Sequence, residues 1–309
     1  MPFITVPILQ EALGLGLVYG LVALALYVSY TTLNIADLST DGCFTLGCAV
    51  CCQVAIMGHP FLGLAAGMLA GICSGFITAL LQTRFGIQSI VAGIVVNTGL
   101  YTINIMAMGN ASVLSLTRSD TVFTLFKAQF GDLGGWYKTV VAAIAVLLMS
   151  LLVALFMVTR LGLSVRATGD NADMVRASSI NPAVTITVGL CVSNAFTGLA
   201  GGLLGQYQKS CDINIGSGMV TIALASLIIG QTLLGANRHP GIWRHIVGTA
   251  VGSCVYRLAV ALALRMNMPA AFLKLISAVI VAIAIAMPAL KKRLELQKRM
   301  MAEGRKEGR

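Results

Sequence analysis

An all-helical polytopic membrane protein is the fold class this sequence predicts, on three observations. Of its 309 residues, 57% are hydrophobic and only 10% are charged, where an ordinary soluble domain carries about a quarter charged residues. The mean hydropathy is +0.88. The apolar residues also fall in uninterrupted runs of about 20, the length of helix that crosses a ~30 Å hydrocarbon core. Nine such runs are legible, at 9–30, 42–57, 61–83, 88–109, 138–159, 183–205, 219–236, 242–264 and 270–290, and their soft boundaries allow about eight to ten spans.

The first run has no basic residue before it and no small-residue cleavage site after it, so it is expected to be a retained helix rather than a leader. The second is short, and NIADLSTDG (34–42) precedes it. Asn34, Asp37 and Asp41 make this loop a candidate for the solute pathway, since acidic residues near hydrocarbon are expensive. Capping of the next helix by Asp37 or Asp41 is the plainer reading. The third run carries Gly63, Gly67, Gly71 and Gly75 at four-residue spacing, a side-chain-free stripe that lets another helix approach closely.

On the fourth run, Asn97, Tyr101 and Asn104 share one face. A polar stripe in a membrane helix meets either water or protein, so pathway lining and interhelical hydrogen bonding both stand. The segment 110–137 contains TLFKAQFGDL and is long enough for a short amphipathic helix. After the run at 138–159, the sixth repeats the small-residue device with Asn194, Gly198, Gly201 and Gly205 on one stripe, where Asn194 is placed to bond a neighbour.

The two ends of the chain carry a weak internal repeat. A polar loop, a short helix, a long helix and a basic break recur, with NIADLSTDG and TRFGIQ (83–88) in the first half and CDINIGSG (211–218) and RMNMP (265–269) in the second. Counting spans places corresponding loops on opposite faces, which is an inverted repeat. A single transmembrane domain over 1–290 is expected. It comprises a first half at about 9–109, a linker helix with a polar loop at 138–182, and a second half at 183–290, followed by a basic tail at 291–309.

With the C-terminus inside, 14 of the 21 basic residues fall on the inner side: Arg84, Arg160, Arg166, Arg176, Arg238, Arg244 and the eight of the tail. This is the bias expected of a cytoplasmic face, and it puts the N-terminus outside. The tail holds eight basic and three acidic residues, half of the net charge of +10. It reads as an orientation signal touching lipid headgroups, and no basic folded face points to nucleic acid.

Cys43, Cys48, Cys51 and Cys52 crowd one helix, but no matching Cys or His pair lies at ligand spacing, so they read as small packing groups and no metal is expected. His59, His239 and His245 form no triad. No nucleophile, base and orienter come together, so an enzyme is not expected.

The stretch RATGDNADMVRASSINPAV (166–184) breaks this apolar chain with charge. Asp170 can cap a helix that ends at Asn181-Pro182, and Asp173 and Arg176 can pair at three-residue spacing. About ten residues of helix, ~15 Å, is too short and too polar to span. Chemistry alone leaves an ordinary loop helix and a docking surface for a soluble partner both open.

GDNADMVRASSINPAV resembles the cytoplasmic coupling loop of ABC importer permeases of the branched-chain amino acid and ribose type. NIADLSTDGCFTLG, LQTRFGIQSIVAGIVVNTGLY and GSGMVTIALASLIIG are similar to further segments of that family, so the likeness runs from about residue 10 to 290. NIADLSTDGCFTLG and IVAGIVVNTGLYTINIMAMG look most like permeases for aromatic amino acids such as tryptophan and tyrosine.

The resemblance implies a multi-pass subunit of a bacterial cytoplasmic membrane, paired with a second, identical permease subunit and served by an extracytoplasmic binding protein. Cytoplasmic ATPase subunits would dock on Asp170, Asn171, Asp173, Met174, Arg176, Ala177 and Ile180. The chain contains no Gly-Lys dipeptide, hence no phosphate-binding loop of its own, so ATP would be bound by the partner and no cofactor by this chain. A sugar or nucleoside importer uses the same fold. An ion-coupled secondary transporter is disfavoured, because such proteins need ionisable residues deep in the membrane and Asp37 and Asp41 are expected at a helix start near its face.

Overall fold

The computed structural model describes residues 6–234, 241–265, 275, 278–283 and 286. Among them α1 (Val6–Leu26) continues into a π-helical turn (Tyr27–Thr32), followed by α2 (Thr40–Ile56), α3 (Pro60–Thr83) and α4 (Ser89–Ala107). A short strand β1 (Val113–Ser115) and α5 (Val122–Phe130) lead to α6 (Tyr137–Val158), α7 (Arg160–Asp170) and α8 (Ala172–Ala177). The chain continues through α9 (Pro182–Gln208), β2 (Ser210–Asp212), α10 (Met219–Leu233) and α11 (Ile242–Arg265). Most of the expected run at 270–290, the tail at 291–309 and Arg238 lie outside the described residues.

Six of these helices are long and apolar enough to cross a membrane: Val6–Thr32, Pro60–Thr83, Ser89–Ala107, Tyr137–Val158, Pro182–Gln208 and Ile242–Ala263. The expected runs at 42–57 and 219–236 become α2 and α10, of 17 and 15 residues. At 1.5 Å per residue they are ~25 Å and ~23 Å long, short of a full crossing.

The bundle is built around α9, whose 27 residues extend about 40 Å. The C-terminal half of α9 lies beside α2 and runs parallel to it. The Cys43 thiol donates to the Asn194 carbonyl at 3.4 Å, and the Gln206 amide donates to the Cys51 sulfur at 3.2 Å. Between these points a Cβ on Gly47 would strike the Gly198 carbonyl, and one on Gly201 would strike the Phe44 carbonyl. α3 runs antiparallel against both. Side chains on Gly63 and Gly67 would meet the carbonyls of Cys51 and Gly47 at 2.6 and 2.8 Å. Side chains on Gly71 and Gly75 would meet the carbonyls of Asn194 and Leu190, and Gly198 faces the Gly67 carbonyl. Gly205 faces the sulfurs of Cys48 and Cys52. Lipid gives apolar helices little hydrophobic reason to associate, so this close packing of backbones is what holds the three together.

α1 is buried along most of its length and forms the centre of the main apolar cluster, with α6, α9 and α10 around it. α11 closes against α1, where Gly16 and Gly20 meet Cys254 and Ser253. At one end of the bundle, called lower here, Tyr27 stacks on His245 with ring centroids 5.4 Å apart, and Thr168 bonds Thr185 at 2.7 Å. At the upper end β1 pairs antiparallel with β2, with Leu114 opposite Cys211. There α5, closed by a Thr121–Thr124 capping box, gives its Val122 N–H to the Gln206 side chain at 2.8 Å.

The stretch at 170–181 differs from expectation. Asp170 ends α7, and the six-residue α8 is capped by Asn171, whose Oδ1 accepts from the N–H groups of Asp173 and Met174, both at 3.0 Å. Asn171 has the extended backbone of a cap (φ −161°), which lets its side chain turn back on the helix. The helix stops early because Ser179 turns left-handed (φ 63°) before Asn181-Pro182.

Placing leucine at both Gly67 and Gly71 forces side chains into backbone on α2 and α9. Overpacking of this kind costs about 1–3 kcal/mol per site or more, so folded yield falls. Size-exclusion chromatography of detergent extracts checks this, and a monodisperse double variant at wild-type yield refutes the stripe as the packing element.

Candidate functional site

Two short helices begin side by side, the first of them next to the middle of α9. α2 starts at Thr40, opposite Asn194, and runs to the upper end. α10 starts at Met219 and runs to the lower end, where Gly230 meets the Gly248 carbonyl of α11. The polar segment 34–39 therefore climbs from the lower end to mid-height before α2 begins, and 211–218 descends from the upper end before α10 begins. This corrects the expectation that Asp37 and Asp41 sit near a membrane face. Both lie level with the centre of the longest helix.

Asp37 is 1% exposed. Its Oδ1 accepts from the Ser39 N–H (2.8 Å) and the Ser39 hydroxyl (2.6 Å), and its Oδ2 accepts from the Asn194 amide (2.7 Å). Thr78 of α3 donates in turn to Ser39 at 3.2 Å. These bonds tie the head of α2 to both packing partners. A buried carboxylate is tolerable only when it is hydrogen-bonded in this way.

Asp41 caps a helix, though not its own. Its Oδ2 accepts from the Gly218 N–H and its Oδ1 from the Val220 N–H, both at 2.9 Å. The carboxylate thus sits on the positive N-terminal end of α10. Gly218 precedes that helix with φ 85°, a left-handed turn that favours glycine. Gly216 lets the loop pass against the Asp41 carbonyl, where a Cβ would clash, and its N–H donates to Thr45 at 3.2 Å.

Beside this junction lies a cavity of about 330 Å³, lined by Asp41, Gly42, Thr45, Asn97, Thr98, Tyr101, Asn104, Ile213, Asn214 and Ser217. The structure brings Asp41, Asn97, Tyr101 and Asn104 together at it. Asp37 is buried behind α2, and Asn34 sits in an exposed left-handed turn (φ 56°); neither is among the lining residues. Asn104 is 2% exposed and donates to the Gly42 carbonyl at 3.1 Å, while Tyr101 is exposed. Sequence reasoning missed Thr45, Thr98, Ile213, Asn214 and Ser217 as lining residues. The signal for the last three was the polar loop CDINIGSG, recognised as a repeat unit but not resolved into side chains.

At the lower end α8 stands proud of the bundle. Val175 is buried and anchors it, while Asn171, Asp173, Met174, Arg176, Ala177 and Ile180 are exposed. Asp173 and Arg176 approach to 3.8 Å on this surface, a contact worth little in water. α7 carries the load beneath it: Gly169 packs on the Thr32 carbonyl, and Thr168 bonds Thr185 on α9.

Cys48, Cys52 and Cys211 pack together at the upper end of α2, with the first two sulfurs 4.0 Å apart. Among the described residues no group of three or more Cys, His, Asp or Glu side chains is arranged to hold a metal ion.

Replacing Asp41 by alanine leaves two N–H groups of α10 uncapped at mid-height. Loss of such a cap costs about 1–2 kcal/mol, so limited proteolysis is expected to reach the 211–218 loop faster. An unchanged cleavage rate rules the cap out as a stabilising element.

Residues 8–286 match the family model described as branched-chain amino acid transport system / permease component. The tyrosine transport system permease protein of Clostridioides difficile (strain R20291) is 30% identical over 268 residues, covering 86% of each chain. The uncharacterized protein RP368 of Rickettsia prowazekii (strain Madrid E) is 29% identical over 90% of this chain and 97% of its own. The ribose import permease protein RbsC of Escherichia coli (strain K12) is 25% identical over 71% of this chain and 66% of its own. No solved structure matches the chain. With its apolar helices and a family match over nearly its whole length, the chain belongs to the branched-chain amino acid permease family of ABC transporters and is a multi-pass transmembrane permease.

Proposed function

We propose that this chain is the membrane subunit of a binding-protein-dependent importer that moves an amino acid, aromatic and of the tyrosine or tryptophan kind, across a bacterial cytoplasmic membrane. The observation that carries this reading is the exposed α8, held on α7 beneath the bundle, together with the likeness to a tyrosine transport permease. A soluble ATPase would grip Asp170, Asn171, Asp173, Met174, Arg176, Ala177 and Ile180 and supply the energy, so this chain would bind no nucleotide or other cofactor and perform no catalysis. A second permease subunit, identical in the simplest arrangement, would complete the pathway, and an extracytoplasmic binding protein would deliver the solute at the end that carries β1 and β2.

The lower end is then cytoplasmic. The grouping of Arg84, Arg160, Arg166, Arg176 and Arg244 near that end supports this, and the N-terminus would then lie outside. Nine membrane segments in an inverted repeat are proposed, within a single domain over 1–290 followed by a basic inner tail that meets lipid headgroups. Support comes from α2 and α10: each is short, each follows a polar segment, and the two start together and run to opposite ends. Half-helices that meet at mid-height mark the solute site in other transporters, and here the junction borders the cavity of Asp41, Asn97, Tyr101 and Asn104. The amides and hydroxyls lining it, together with the ribose import relative, support a sugar as the second reading.

Met174→Asp combined with Arg176→Asp is expected to abolish co-purification of the ATPase while leaving membrane insertion intact. Pull-down from detergent extracts, with yield of the inserted permease as control, reads both. Undiminished ATPase recovery by the double variant overturns the docking assignment.

A further inference from the structure

One residue in the wall of the cavity at the junction of α2 and α10 holds an acceptor that the protein does not use. The Asn104 side chain is oriented by its bond to the Gly42 carbonyl, because only its nitrogen can donate there. Its Oδ1 is left buried with no hydrogen-bond partner. A buried carbonyl oxygen without a donor costs the protein stability unless something fills the place. Nearby, Asp41 is the one charged residue in the lining, and no Lys or Arg lines the cavity to balance it. Each of its oxygens accepts one backbone N–H and keeps capacity for a second donor. Tyr101 adds an exposed ring at the same wall, a surface that attracts cations.

A carboxylate, an unfilled amide oxygen and an aromatic face, with no positive side chain among them, complement a compact cation with several donors. We infer that the cavity holds its solute by a protonated amine, placed between Asp41 and Asn104 Oδ1. A neutral polyol could donate to both groups but would give Asp41 no counter-charge beyond the N-terminus of α10, and an anion would be repelled by it. The inference rests on the permease reading and adds to it the group by which the membrane subunit itself recognises cargo.

The test uses the wild-type permease purified with its ATPase in lipid nanodiscs, without nucleotide and without the binding protein. Radiolabelled tyrosine is bound by scintillation proximity and displaced with tyramine, which keeps the amine, with 3-(4-hydroxyphenyl)propionate, which keeps only the carboxylate, or with ribose. Tyrosine and tyramine are expected to compete, and the propionate and ribose to be at least about tenfold weaker. Asp41→Asn keeps one acceptor oxygen for the two N–H groups that Asp41 caps and removes the charge, and is expected to weaken tyrosine binding by about tenfold or more with ATPase still bound. If that variant loses its ATPase or fails to fold, the wild-type competition series decides alone. Equal competition by the propionate or by ribose, or no tyrosine binding to an intact permease–ATPase complex, overturns the amine site and leaves the permease reading standing. Failure of the wild-type chain to retain any ATPase overturns the permease reading itself.

Discussion

Three backbones in van der Waals contact set the geometry of this protein. Where α2, α3 and α9 cross, glycine meets carbonyl at Gly47, Gly63, Gly67, Gly71, Gly75, Gly198 and Gly201. In water such a core would be filled with leucine and driven together by dehydration. In lipid the tails solvate leucine as well as a neighbouring helix does, so surface match and polar contacts have to provide the cohesion. The close approach also fixes heights. Because α2 is locked to the C-terminal half of α9, its first residue cannot sit at a membrane face, and the acidic loop before it is carried to the centre of the bundle.

That displacement explains where the sequence could be read and where it could not. The long spans, the linker helix and the glycine stripe of α3 are visible because period and composition act locally, along one helix at a time. The polar face of Asn97, Tyr101 and Asn104 is legible for the same reason. The depth of Asp37 and Asp41 is not, since it depends on which half of α9 receives α2, a contact about 150 residues away in sequence. A capping role for Asp41 was within reach of sequence reasoning, but its target was not, because the capped N–H groups belong to Gly218 and Val220.

The polar stretch after α6 departs from its sequence pattern in a smaller way, and again for a physical reason. Asp170 and Asn171 are adjacent and both are good cap residues. The choice between them depends on α7, an eleven-residue helix that the sequence does not advertise and that Thr159 caps through the Gly162 N–H at 3.1 Å. Once α7 runs to Asp170, Asn171 is the first residue free to leave helical geometry, and α8 is short because Ser179 and Pro182 close it from the other side. Asn171, Asp173, Met174, Arg176, Ala177 and Ile180 are exposed, on a smaller helix held from beneath.

The carboxylate of Asp41 joins two helices that share no covalent neighbourhood. Parting α2 from α10 would strip it of both backbone donors at mid-height. The two short helices therefore behave as one strut, broken in sequence but continuous in load, reaching from the upper ribbon to the lower rim. Two backbone hydrogen bonds to one carboxylate are the joint of that strut, at the level where the chain is farthest from either end of the bundle.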